Sequence, residues 1–110
     1  MSDHAAQVMP VVVELPAEID VTNSEQVYQQ LVAVLAPGVD TVVADMTATI
    51  FCDSSGVHAL MHAYETADAR DVQLRLAVSP GTSVRRVLQL IGVGRLIPVY
   101  PSLEEALAEA

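Results

Sequence analysis

The chain has 110 residues, a length that fits one compact domain with a single core. Hydrophobic residues make up 52% and charged residues 17%, which excludes a globally disordered chain. Fourteen acidic residues oppose five arginines and no lysine, a formal charge of −9 that disfavours nucleic acid and anionic membrane as partners.

Residues 1–7 are small and polar and read as a flexible N-terminal segment. The first strand runs from Val8 to Leu15, led by Val11, Val12 and Val13. Pro10 removes one ladder donor, so this strand should lie at an edge or begin at that proline. Residues 16–20 read as a turn. A helix is expected from near Thr22, where Thr22 and Glu25 have capping-box spacing. Val27, Leu31, Val34 and Leu35 then build one apolar stripe, and Pro37-Gly38 stops it. Thr41 to Met46 is a short β-branched run suited to a strand buried on both faces. Residues 47–52 connect it to the next helix, with Phe51 expected in the core.

The second helix is expected over Ser54 to Arg70. Val57, Leu60, Met61, Tyr64 and Ala67 share one face; His58, His62, Glu65 and Asp68 lie mostly on others. Leu74, Leu76 and Val78 alternate with Arg75 and Ala77, the period of a strand. Ser79-Pro80-Gly81 breaks it. The third helix covers Thr82 to Ile91, with Val84, Val87, Leu88 and Ile91 inward and Arg85 and Arg86 outward. Gly92 ends it. Ile97 to Tyr100 is a short strand whose Pro98 again points to an edge. Ser102 and Glu105 form a second capping box, opening a last helix through Ala108.

Alternating strands and helices specify a mainly parallel sheet. The loops at 18–22 and 52–56 then both leave carboxyl ends of strands. If those strands are parallel neighbours, both loops share the sheet edge where open α/β folds place their sites.

The main candidate for chemistry is Asp53-Ser54-Ser55-Gly56 before the second helix. On residue preferences alone it is a helix N-cap. A serine there also faces unpaired N–H groups and the positive end of the helix dipole, which would accommodate a phosphate ester. A Ser-His-Asp hydrolase is disfavoured: the Gly-x-Ser-x-Gly elbow is absent and His58 lacks an orienting acid. His58 and His62 have the i, i+4 spacing of metal ligands but no third ligand, so no metal is assigned. The single Cys excludes an internal disulfide, and Cys52 reads as a small core residue, not a redox thiol. Arg85 and Arg86 read as a solvated helix face, and Gly92 with Gly94 as a turn. No signal peptide or membrane-spanning stretch is evident, so a cytoplasmic location is expected.

Together these segments resemble the STAS-domain family. Ala17-Glu18-Ile19-Asp20 is similar to the Gly-Glu-Leu/Ile-Asp signature after the family's first long strand. Val42-Val43-Ala44-Asp45-Met46 resembles its buried strand. Ile50-Phe51-Cys52-Asp53-Ser54-Ser55-Gly56-Val57 resembles its Asp-Ser-Ser/Thr-Gly phosphorylation segment. Arg85-Arg86-Val87-Leu88 through Gly92-Val93, then 96–100 and 102–107, resemble the C-terminal third. The similar branch is the bacterial anti-sigma factor antagonists.

The resemblance implies a single STAS-like α/β domain over residues 8–109. Its mainly parallel or mixed sheet has about four strands flanked by about four helices. It implies a binding protein, not an enzyme, with no cofactor. Ser54 takes the position of the phosphorylated serine. The implied partners are an anti-sigma factor serine kinase, captured while Ser54 is unmodified, and a serine phosphatase. The implied docking surface comprises Glu18, Asp20, Val21, Thr22 and Asn23 with Asp53, Ser55, Gly56, Val57, His58 and Met61. A homodimer covering an exposed sheet edge is a further expectation; nucleic acid and membrane insertion are not expected. The alternative is a non-phosphorylated STAS docking subunit of a lipid-transport ABC system, or a signalling scaffold.

Overall fold

The computed structural model describes residues 9–108; the expected N-terminal segment, Val8 and position 109 lie outside them. In chain order the elements are β1 (Met9–Glu14), β2 (Glu18–Ile19), α1 (Ser24–Ala33), β3 (Val39–Asp45), β4 (Phe51–Cys52), α2 (Ser54–Asp68), β5 (Gln73–Ala77), α3 (Ser83–Ile91), a 3-10 turn (Val93–Arg95), β6 (Val99–Tyr100) and α4 (Leu103–Ala108).

The Val-rich β1 and β3 join β5 and β6 in the main sheet, with order β1-β3-β5-β6 and every pair parallel. Among the described residues β1 and β6 form its edges, as Pro10 and Pro98 predict. β3 is buried on both faces. Val42, Ala44 and Met46 join Leu74, Leu76 and Val78 in the larger core, beneath Val27 and Leu31 of α1 and Leu60 and Ala63 of α2. Val43 and Ala77 point the other way, against Leu103 and Ala106 of α4. That split is the period-two alternation of a strand covered on both sides.

Arg75 lies on the α4 side and is only 6% exposed. Its Nη1 donates to the Ala106 carbonyl at 2.7 Å and its Nε to Gln73 Oε1 at 2.9 Å. The guanidinium also sits 5.8 Å from the Tyr100 ring centroid.

Several expectations are corrected. Residues 16–20 and 47–52 are not only connections, because β2 and β4 pair into a second, two-stranded parallel sheet. Phe51 is 48% exposed, not in the core; strand alternation turns it outward and Cys52 inward. α1 starts at Ser24 after Asn23, and no side chain caps it, so the Thr22–Glu25 capping box does not form. Thr22 bonds to Asp20 instead. α1 ends at Ala33, before Val34 and Leu35, and α2 ends at Asp68. Ile91 is 54% exposed, because α3 stops there and Gly92 turns the chain at φ 83°. Arg85 is half-buried, not outward, and its Nη1 donates to the Val78 carbonyl at 2.6 Å. The cap at Ser102 does form, its hydroxyl accepting Glu105 N–H at 3.1 Å, while Thr82, expected inside the third helix, stands before it as its cap and accepts Arg85 N–H at 3.1 Å.

Candidate functional site

The site is built where the small sheet meets the start of α2. In that sheet Glu18 pairs with Phe51 and Ile19 with Cys52. Ile50 and Phe51 donate to the Ala17 carbonyl at 2.7 and 3.2 Å, and Asp53 donates to the Ile19 carbonyl at 3.1 Å. These bonds hold the Asp20 turn and the Asp53 cap side by side. The sequence expected both loops at one sheet edge, and β1 and β3 are indeed parallel neighbours.

Asp53 is the N-cap of α2. Its Oδ1 accepts from Ser55 N–H at 2.9 Å and Gly56 N–H at 3.2 Å. Its backbone is extended, at φ −95° and ψ −170°, as an N-cap requires. Ser54 follows as the first helical residue and is exposed. The expectation of unpaired N–H groups for a phosphate is therefore corrected: the cap carboxylate already holds two of them. A phosphate ester on Ser54 would stand next to that carboxylate and raise the local negative charge.

Gly56 explains how α2 approaches so closely. A Cβ there would meet Cys52 Sγ at 2.5 Å and Ile19 Cγ2 at 2.8 Å. Only a glycine lets the helix seat on the small sheet without a shift. Cys52 is 4% exposed beneath it. Burial, then the neighbouring Asp53 charge, pushes its thiol up to about 11. It is a protonated core residue at neutral pH, without the thiolate that redox or nucleophilic chemistry needs.

The Asp20 loop is ordered by its own side chains. Asp20 Oδ1 accepts from Thr22 N–H at 2.9 Å and from the Thr22 hydroxyl at 2.5 Å. Those bonds hold the Asp20 carboxyl below its ordinary value, the hydroxyl more strongly than the amide. Asn23 Oδ1 accepts from Asp20 N–H at 3.0 Å, while its Nδ2 donates to the Glu18 carbonyl at 2.8 Å. Val21 projects from the loop at 75% exposure.

The expected surface residues fall into three sets. Glu18, Val21, Thr22, Ser54 and His58 are exposed, and Asp20, Asn23, Asp53, Ser55 and Met61 are half-buried. Gly56 and Val57 are buried, so they shape the surface from below. Sequence reasoning missed Ile91 and Leu96. With Ser54, Val57, His58 and Met61 they line a groove of about 220 Å³ between α2 and the end of α3. The signal was ambiguous: the helical stripe assigns Ile91 to the core, and only the chain turn at Gly92 frees it. His62 stacks on Tyr28 with centroids 4.2 Å apart. Among the described residues, no group of three or more His, Cys, Asp or Glu is placed to hold a metal, and no helix is long and apolar enough to cross a membrane.

Comparison with known proteins agrees with this architecture. The STAS domain model matches residues 3–106. The anti-sigma-F factor antagonist RsfA of Mycobacterium tuberculosis is 33% identical over 103 residues, covering 89% of this chain and 77% of its own. The crystal structure of an anti-sigma factor antagonist from Mycobacterium paratuberculosis superimposes with a TM-score of 0.77 at 29% identity, over 88% of this chain and 81% of the other. The anti-sigma factor antagonist SpoIIAA in its unphosphorylated form gives 0.71 at 27% identity, over 93% and 88%. The parallel sheet, the small sheet beneath α2 and the match along nearly the whole chain lead to one assignment: this chain belongs to the STAS-domain family, in its anti-sigma factor antagonist branch.

Proposed function

We propose that this chain is an anti-sigma factor antagonist switched by phosphorylation of Ser54. In its unmodified form it captures an anti-sigma factor that is also a serine kinase. Phosphorylation of Ser54 releases that factor, and a serine phosphatase resets the chain. The observation that carries this reading is the exposed Ser54 hydroxyl at the first position of α2, seated on a rigid cap.

The physical account follows from charge. A phosphoserine brings about −1.5 to −2 charge at neutral pH. It would arrive beside Asp53 and the neighbouring Asp20 loop, in a chain of net charge −9. A docked partner would have to desolvate that charge or oppose it with cations, which costs on the order of several kcal/mol when neither is available. The fold itself has little reason to change, because the Asp53 cap bonds do not use the Ser54 hydroxyl. The chain acts as a binding partner and substrate of the kinase; no catalytic role is assigned to its own residues.

Intact-mass spectrometry after incubation with ATP and candidate anti-sigma kinases tests this reading. The expected result is a gain of one phosphate, absent in Ser54→Ala and retained in Ser55→Ala. Incorporation that survives Ser54→Ala, or none with any cognate kinase, overturns it.

A further inference from the structure

Charge is segregated along this chain. No acidic residue occurs between Asp71 and Glu104, while Arg75, Arg85, Arg86 and Arg95 all fall in that interval. The structure divides these four. Arg75 is buried beneath α4. Arg85, Arg86 and Arg95 belong to α3 and the 3-10 turn, where Arg86 and Arg95 are exposed. The acids that resume at Glu104 sit on α4, which packs on the opposite face of the main sheet. A chain of net charge −9 thus carries a face whose own segment is wholly cationic.

That face is also apolar. Leu90 is 80% exposed, Ile91 54% and Leu96 50%. Two open clefts of about 450 and 540 Å³ flank Arg85, and none of their lining residues is acidic. Single exposed leucines are ordinary, but Leu90 and Ile91 share a cleft with Arg85 and Arg95, and Ile91 continues with Leu96 into the groove beside Ser54, which is the composition of a docking patch. Arginine suits it, because its planar donors bind carboxylates in bidentate fashion.

We infer that the α3 and 3-10 face, which meets the groove beside Ser54 at Ile91 and Leu96, is a further docking surface whose occupant is an acidic amphipathic segment of a partner protein. Carboxylates of the segment pair with Arg86 and Arg95, and its apolar side chains cover Leu90, Ile91 and Leu96. The exposed apolar residues favour a protein segment over a small anion. The same apolar residues disfavour a polyphosphate strand, which has no apolar side chains to cover them, and a second copy docked face to face would set Arg86 and Arg95 against like charges.

Fluorescence anisotropy with a short labelled peptide, Glu on one helical face and Leu on the other, tests the inference at low salt. The intact chain should bind it, and should bind the same peptide with Gln in place of each Glu more weakly. R86E/R95E should weaken binding by about tenfold or more, the scale of reversing interface charges. Thermal unfolding of that variant verifies its fold, and R86Q/R95Q carries the same comparison should it fail to fold. Equal binding by wild type and either folded variant, or no binding by wild type, overturns the inference. So does tighter binding of a single-stranded oligonucleotide. Salt-sensitive self-association lost in R86E/R95E would assign the face to a second copy and overturn it as well.

Discussion

A Cβ added at position 56 falls within 2.5 Å of Cys52 Sγ and 2.8 Å of Ile19 Cγ2. Gly56→Ala should therefore destabilise by about 2 kcal/mol, the range of overpacking a tight contact. Tm should fall by roughly 8 °C, at about 4 °C per kcal/mol for a domain of this size. Adding Cys52→Ala should recover part of the loss, since it removes the nearer of the two clashing groups. Asp53→Ala removes the acceptor of two first-turn N–H groups and should cost about 1 kcal/mol, read by denaturant unfolding. Asp53→Asn keeps an acceptor and should cost less.

Titration adds two residue-scale expectations. Asp20 is held below its ordinary 3.8 by Thr22, so its contribution to stability is complete above that value and lost as pH falls through the lower folded value. NMR titration should place the Asp20 carboxyl midpoint below 3.8, and Thr22→Val should move it back up. Cys52 works in the opposite direction. Its folded value of about 11 exceeds the ordinary 9.0, so its contribution is complete below 9.0 and lost as pH rises between the two. At pH 8 the native thiol should resist iodoacetamide, while unfolded chain reacts; rapid labelling of native protein would contradict the buried thiol.

At the scale of elements, the longer pieces were legible and the short pairings were not. β3 and β5 announce themselves by β-branched or alternating residues, and α3 by its apolar stripe and its stop at Gly92. β2 and β4 have two residues each, and they pair across more than thirty positions of chain. No local period marks a strand that short. Phe51 was assigned inward because it is large and apolar, but the pairing with Glu18 sets its direction. Cys52 is buried as expected, although its neighbours Ile50 and Phe51 are exposed; it packs in the core with Ile19 and α2. The Thr22 and Glu25 spacing was real, yet Asp20 competes for the Thr22 hydroxyl and starts an Asx turn instead. In the candidate site, Asp53 and Ser54 were legible as a cap and its first helical residue. The groove beside them was not, because it needs the end of α3 brought against α2.

α4 offers a test at the same scale. It has six residues, too short to be stable alone, so its place depends on packing and on Arg75. Arg75→Ala should speed amide hydrogen exchange in α4 and at Tyr100 while leaving the α1 and α2 amides protected. Uniform loss of protection across the molecule would instead mean that Arg75 supports the whole core.

At the scale of the whole molecule, the fold is a platform with an uneven charge distribution. The Asp20 loop and the Asp53 cap stand together beside Ser54, while the α3 segment is cationic. Under the proposed switch, a phosphate on Ser54 would change what the molecule attracts, not how it is packed. Ser54→Asp should leave Tm within about 2 °C of wild type, because the side chain is exposed and surface substitutions away from special features cost little. A large fall in Tm would move the switch from the interface into the fold.

Calorimetric titration of the cognate anti-sigma factor into the chain, unmodified and phosphorylated at Ser54, is the most direct measurement. The account predicts tight binding by the unmodified form and an affinity weaker by about a hundredfold or more after phosphorylation, on the scale of an interface charge left unopposed. Equal affinity of the two forms would contradict it.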